Sequence, residues 1–228
     1  MNHEIASAVS LTNLGADKLA TGEYYAAASA FCGAIKIMQA LAETADETTC
    51  SSSSIDEEFA PDFEAPKPWS YEALPVLSPE LIHNEIAVFE HCFAVIPAKG
   101  TQAEAYTTQD CELFTAALIY NLALTYHYCG VCGNSNERMT DALNLYEKAA
   151  SMIGNMDDSH DGHSIYMAVS NNAASLALVL RNLSKYEGFH MCLRRLLREK
   201  DDFYASFFGK NISVEAYRGS PIHNIPMQ

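Results

Sequence analysis

Three stretches of the chain repeat apolar residues with a helical period. In LTNLGADKLATGEYYAAASAFCGAIKIM, Leu11, Leu14, Lys18 and Leu19 recur at helical spacing. After a break at Thr21-Gly22, Ala27, Phe31, Ala34, Ile35 and Met38 resume it from a second helix starting near Glu23. Gly15 on the first helix and Ala27 on the second are small enough to let the two backbones approach, and Phe31 fills the groove toward the next helix. Gly22 stands just past the first helix, where a positive φ closes the turn.

The stretch NNAASLALVLRNLSKYEGFHMCLRRLLREK follows the same plan, with Ala177 in the place of Gly15, a turn at Asn182-Leu183-Ser184, and Leu193 and Leu196 beyond. Twelve residues separate Gly15 from Ala27, and twelve separate Ala177 from Phe189. The middle stretch, ALIYNLALTYHYCGVCGNSNERMTDALNLYEKAASMI, carries Ala123 and Tyr126 on one helix and Ala142, Tyr146 and Ala149 on the next. Ala123 and Ala142 are nineteen apart, which predicts about seven residues inserted at its turn.

Residues 44–110 break the period. TADETTCSSSSIDEEFAPDFEAPKP is rich in Ser, Pro and acids and predicts a loop. WSYEALPVLSPE, interrupted by Pro75 and Pro79, is expected along the surface, anchored by Trp69 and Tyr71. IAVFEHCFAVIP is β-rich and predicts one or two short strands, with a hairpin around Glu90-His91 as one reading and a helix as the alternative.

This plan resembles the tetratricopeptide (TPR) repeat, a helix-turn-helix unit with small residues at fixed positions and an aromatic between them. Leu14-Gly15, Gly22, Tyr24, Ala27, Phe31 and Ala34 carry the resemblance first, and Asn121-Leu122-Ala123, Tyr126, Ala142, Tyr146 and Ala149 carry it again. The third segment departs at Phe189, where the family has alanine. The resemblance, to the small stand-alone kind with a long acidic insert, implies a mainly α fold. TPR-like antiparallel hairpins would form a short right-handed superhelix, with a short β-hairpin in the insert. The expected organisation is a first hairpin over 1–42, an acidic loop over 43–70, an extended insert over 71–112, a second hairpin with an enlarged turn over 113–154, a third over 155–200, and a cap and tail over 201–228.

The family binds partners on the concave face of its first helices. Here that face offers Asn13, Tyr120, Asn121, Asn171 and Asn172, with Thr12, Ala16, Leu124 and Ser175 beside them. A carboxylate clamp of the chaperone-binding type is not expected, because its basic positions carry Thr12, Asn171 and Ser175. The asparagines suit an extended peptide's backbone, or each other and water. Arg194 and Arg198 share a helix face, with Arg195 turned about 100° away. They suit an acidic peptide, the chain's own acidic insert or solvent.

The net charge of −15 disfavours general binding to nucleic acid or anionic membranes. The N-terminus lacks the pattern of a secretory signal, and FTAALIYNLALTYHYCGV is too interrupted to span a membrane. The expectation is a soluble, intracellular chain whose seven cysteines are reduced thiols. No nucleotide-binding, hydrolase or metalloprotease motif occurs. The chemical candidate is Cys129-x-x-Cys132, preceded by His127. Gly130 and Gly133 are what a helix stop followed by a loop would use, and at a helix C-terminus the dipole raises a thiol's pKa, which opposes redox use. Zinc would need two further ligands, and His160 and His163 fall at the opposite end of a helix. No cofactor or metal is therefore expected. The reading is a non-catalytic interaction module that binds a protein or peptide. The alternative is a structural subunit of a larger complex or oligomer, and a thiol or zinc protein stands third.

Overall fold

The computed structural model describes residues 2–49, 68–76, 88–98, 106–154 and 160–199. The polar insert over 50–67, and the expected cap around Phe203, Tyr204, Phe207 and Phe208 with the tail beyond, lie outside the described residues. Among the described residues the fold is mainly helical with one small antiparallel sheet. Helices α1 (Asn2–Ala20) and α2 (Tyr24–Thr49) pack as a pair, as do α3 (Thr108–Cys132) with α4 (Asn136–Ile153) and α5 (His160–Val179) with α6 (Leu183–Glu199). The pairs pack in chain order, α2 on α3 and α4 on α5. Strands β1 (Trp69–Pro75) and β2 (His91–Pro97) pair antiparallel, and β2 lies against α1 and α3.

All three helix pairs close with the same backbone device. The N–H of Glu23 reaches the C=O of Lys18 and that of Gly22 reaches Leu19, leaving Gly22 at φ 79°. Ser135 and Asn134 bond Gly130 and Val131 in the same way, and Asn182 and Arg181 bond Ala177 and Leu178. Asn134 and Arg181 are the residues forced to positive φ there, at 47° and 57°. This 6→1 and 5→2 pairing satisfies the last carbonyls of each first helix.

The recurring device corrects two expectations. The middle turn is not enlarged, since only residues 133–135 separate α3 from α4, as residues 21–23 separate α1 from α2. The extra residues instead lie in the turn-proximal ends of the two helices, about one turn in each, which keeps their inner faces in register. Gly130 therefore lies within α3, where a Cβ would come 2.9 Å from the Met139 backbone nitrogen. It is a close-packing position rather than a stop. In the third pair the turn is Leu180–Asn182, earlier than expected, and Asn182 Oδ1 accepts from the N–H of Lys185 at the start of α6. Measured back from the positive-φ residue, Ala174 rather than Ala177 matches Gly15.

The small-residue rule holds where it was sharpest. A Cβ on Gly15 would sit 2.6 Å from the ring of Phe31, which is fully buried with Ala27 and Ala34. Ala142, Tyr146 and Ala149 are likewise buried on α4. Leu14 breaks the stripe, being 47% exposed. α2 runs on to Thr49, beyond the boundary expected at residue 42, and α3 starts at Thr108 in a capping box formed by Thr107 and Asp110. Helix α2, rather than the apolar run over residues 114–131, contains a segment, Tyr24–Thr44, long and apolar enough by length and composition to cross a membrane.

The insert differs most from expectation. WSYEALP forms a full strand, which was not expected; it lies at the surface with Ser70, Glu72 and Pro75 exposed, and Trp69 anchors it, buried against Tyr106 and Phe114. The chain does not reverse at Glu90-His91. It runs on as β2, whose partner lies upstream in register Trp69↔Pro97 through Pro75↔His91.

Candidate functional site

An antiparallel ladder sends the polar groups of alternate residues to opposite edges. In β2 and its flanks the even-numbered residues face β1. The ladder is extended at its ends by Val76 N–H bonding the C=O of Glu90 and by Ala98 N–H bonding the C=O of Pro68. Phe89, His91, Phe93 and Val95 thus turn their polar groups away from β1, toward the first helices.

Asparagines meet them there. Asn13 on α1 accepts from the N–H of Val95 at 2.8 Å and donates to its C=O at 2.8 Å. Asn121 on α3 does the same to Phe93, at 2.8 and 2.7 Å. Asn172 on α5 does so to Phe89, at 2.7 and 3.1 Å. A carboxamide offers one acceptor and two donors, so each asparagine reproduces the pairing of a neighbouring strand residue. Between them, the hydroxyl of Tyr120 donates to the C=O of His91 at 2.9 Å and accepts from Asn172 Nδ2 at 3.2 Å. Asn171 Nδ2 donates to Asn172 Oδ1 at 3.1 Å and orients it.

The turn explains this convergence. Asn13 and Asn172 each lie nine residues before the positive-φ residue, and Asn121 lies thirteen before, one helical turn more, as the longer α3 requires. The three amides therefore occupy equivalent faces of α1, α3 and α5. Thr12, Asn121, Asn171 and Asn172 are fully buried, and Ser175 nearly so. Apolar contacts complete the cradle. Phe93 packs 5.2 Å from the Tyr120 ring and 6.2 Å from Phe89, while Cys92 lies with its Sγ near the C=O of Ala16.

Of the seven candidate partner-binding residues, Asn13, Tyr120, Asn121 and Asn172 converge on the chain's own strand, and Asn171 supports them. Arg194 stands apart, exposed on α6, and the side chain of Arg198 lies outside the described residues. The site's other half, Phe89 to Val95 and β1, was absent from the candidates. Its signal was available in the strand-like run around Phe93 and in the recurrence of asparagine nine residues, or one helical turn more, before each turn.

The thiol candidates differ in exposure. His127 is buried with Nδ1 3.4 Å from the Tyr146 hydroxyl, whereas Cys132 is exposed. Burial pushes the Cys129 thiol up, against thiolate chemistry. Among the described residues no three His, Cys, Asp or Glu side chains cluster as metal ligands. The described cysteines are all free thiols. Burial pushes Cys92 to about 12 and raises Tyr120 well above its ordinary value, as expected of groups that pack and donate rather than ionise.

No protein-family model, curated protein or solved structure matches the chain.

Proposed function

We propose that this chain is a non-catalytic protein-interaction scaffold of TPR-like hairpins, arranged as a short right-handed superhelix whose concave groove carries its own strand. The supporting observation is the set of three two-point asparagine contacts to the backbone of residues 89–95. Recognition through N–H and C=O is what a groove for extended peptides requires. The resident strand rigidifies the three hairpins into one surface, and partner proteins are met by the surface that remains. Cross-linking with mass spectrometry from the native source tests this. Reproducible links to one partner, on described faces outside the asparagine ladder, are expected. A chain that cross-links to no protein in its native setting sinks the reading.

A second reading, a subunit permanently embedded in a complex, draws on large apolar side chains on the outer helices. Tyr25 is 78% exposed, Met191 67% and Leu183 52%. Light scattering separates the two: a scaffold is a monomer alone, and an orphaned subunit self-associates.

A further inference from the structure

β1 has two edges, and among the described residues only one is paired. Ser70, Glu72 and Leu74 face β2. Trp69, Tyr71 and Ala73 turn their N–H and C=O the other way, where no hydrogen-bond partner meets them among the described residues. An open edge of this kind is a template for another strand. The usual protections are weak here. The register runs without a bulge from Trp69 to Pro75, and proline stands only at the two ends, as Pro75 and as Pro68 just before the strand. The asparagine ladder holds β2 from behind, so the edge is presented on a fixed support.

The surroundings select the occupant. No Lys or Arg lies among the described residues of β1, β2 and their flanks, 68–76 and 88–98, which hold Glu72 and Glu90. Glu72 is exposed on β1 itself, and Asp110 and Asp161 lie close enough to Tyr71 to add to burial in raising its phenol pKa. We infer that the outer edge of β1, from Trp69 to Ala73, docks an extended peptide strand with Lys or Arg at alternate positions. A second copy of the chain fits less well. Each copy carries a charge of −15, and self-pairing centred on β1 sets Glu72 opposite Glu72. The inference rests on the scaffold reading and gives it a site and a partner class.

The test uses the full chain with two blocked heptapeptides, one alternating Lys with Val and one alternating Glu with Val. Trp69, the single tryptophan, reports binding by fluorescence, and hydrogen exchange reports the Tyr71 and Ala73 amides. The lysine peptide is expected to bind at least tenfold more tightly than the glutamate peptide, weakening as salt rises. It should slow exchange at both amides at least tenfold. Ala73→Pro removes one outward N–H while sparing the ladder to β2, and should lose at least tenfold in affinity. Glu72→Lys, which leaves the backbone untouched, should reverse the preference between the peptides. Equal binding of the two peptides, or amides already protected without peptide, overturns the inference. A wild-type dimer that Ala73→Pro converts to monomer overturns it in favour of a second copy. If the peptides fail while native cross-links map to the outer helices, the edge falls and the scaffold reading stands. If the lysine peptide binds but no native partner cross-links, the edge stands and the scaffold reading falls.

Discussion

The side-chain amide of Asn121 grips both polar groups of the Phe93 backbone, accepting from its N–H at 2.8 Å and donating to its C=O at 2.7 Å. Both residues are buried, so neither group has water to fall back on. Asn121→Ala would leave an N–H and a C=O unsatisfied, at a cost of about 2–4 kcal/mol. The expected outcome is a lower denaturation midpoint, with loss of hydrogen-exchange protection at the Phe93 amide in particular. On sequence grounds, Asn121→Ala and Tyr120→Ala would weaken partner capture and spare folding. Their burial against β2 predicts instead that both destabilise the fold. An unchanged midpoint for Asn121→Ala would show that β2 does not rest on the ladder.

Gly15 and Phe31 share one space. A methyl group at Gly15 would reach within 2.6 Å of the ring, which is fully buried. Gly15→Ala should therefore cost about 1–3 kcal/mol despite its better helix propensity. Pairing it with Phe31→Leu should recover part of that loss. The double-mutant cycle then gives a favourable coupling, and additivity would place the two residues out of contact.

The three positive-φ residues respond in opposite directions. At Gly22 nothing lies within 4 Å of an added Cβ, so Gly22→Ala should cost about 1 kcal/mol through the backbone alone. Arg181→Gly should stabilise by up to about 1 kcal/mol, because φ 57° is strained for arginine. Asn134→Gly should gain less, since asparagine tolerates this region. Thermal unfolding of the three variants checks the order.

His127 predicts an acid-side loss of stability. Burial pulls its pKa from 6.5 to about 4, so the folded state keeps the ring neutral. Below pH 6.5 the unfolded chain binds a proton that the folded chain refuses. Stability therefore falls as pH drops from 6.5 toward 4, by roughly 3 kcal/mol from this group. Urea titrations at pH 7 and pH 4.5 should show a smaller difference for His127→Gln than for the native chain. Equal differences would remove His127 as the cause.

Much of the helical frame was legible because helix pairing is local. Gly15, Phe31, Ala142 and Tyr146 are spaced by the 3.6-residue period, and the period is written along the chain. The third pair was misread by three residues because Ala174 and Ala177 are both small and buried, and only the backbone turn at Arg181 tells them apart. The CGVCGN stretch was misread for a related reason. Glycine marks a helix end in one context and a close helix contact in another, and Gly130 is the second kind.

By itself the sequence determined three amphipathic helix pairs, the small residues that let them close, and a β-rich segment outside the repeat. Tertiary structure alone decided that Asn13, Asn121 and Asn172 would meet at one strand, and that β1 would be the strand's other neighbour. These contacts join residues more than 80 positions apart for Asn13 with Val95 and for Asn172 with Phe89. Backbone N–H and C=O groups are the same at every residue, so no side-chain pattern announces which of them an amide will hold. The choice follows from where the packed helices place each amide and from how the ladder to β1 turns alternate residues toward them.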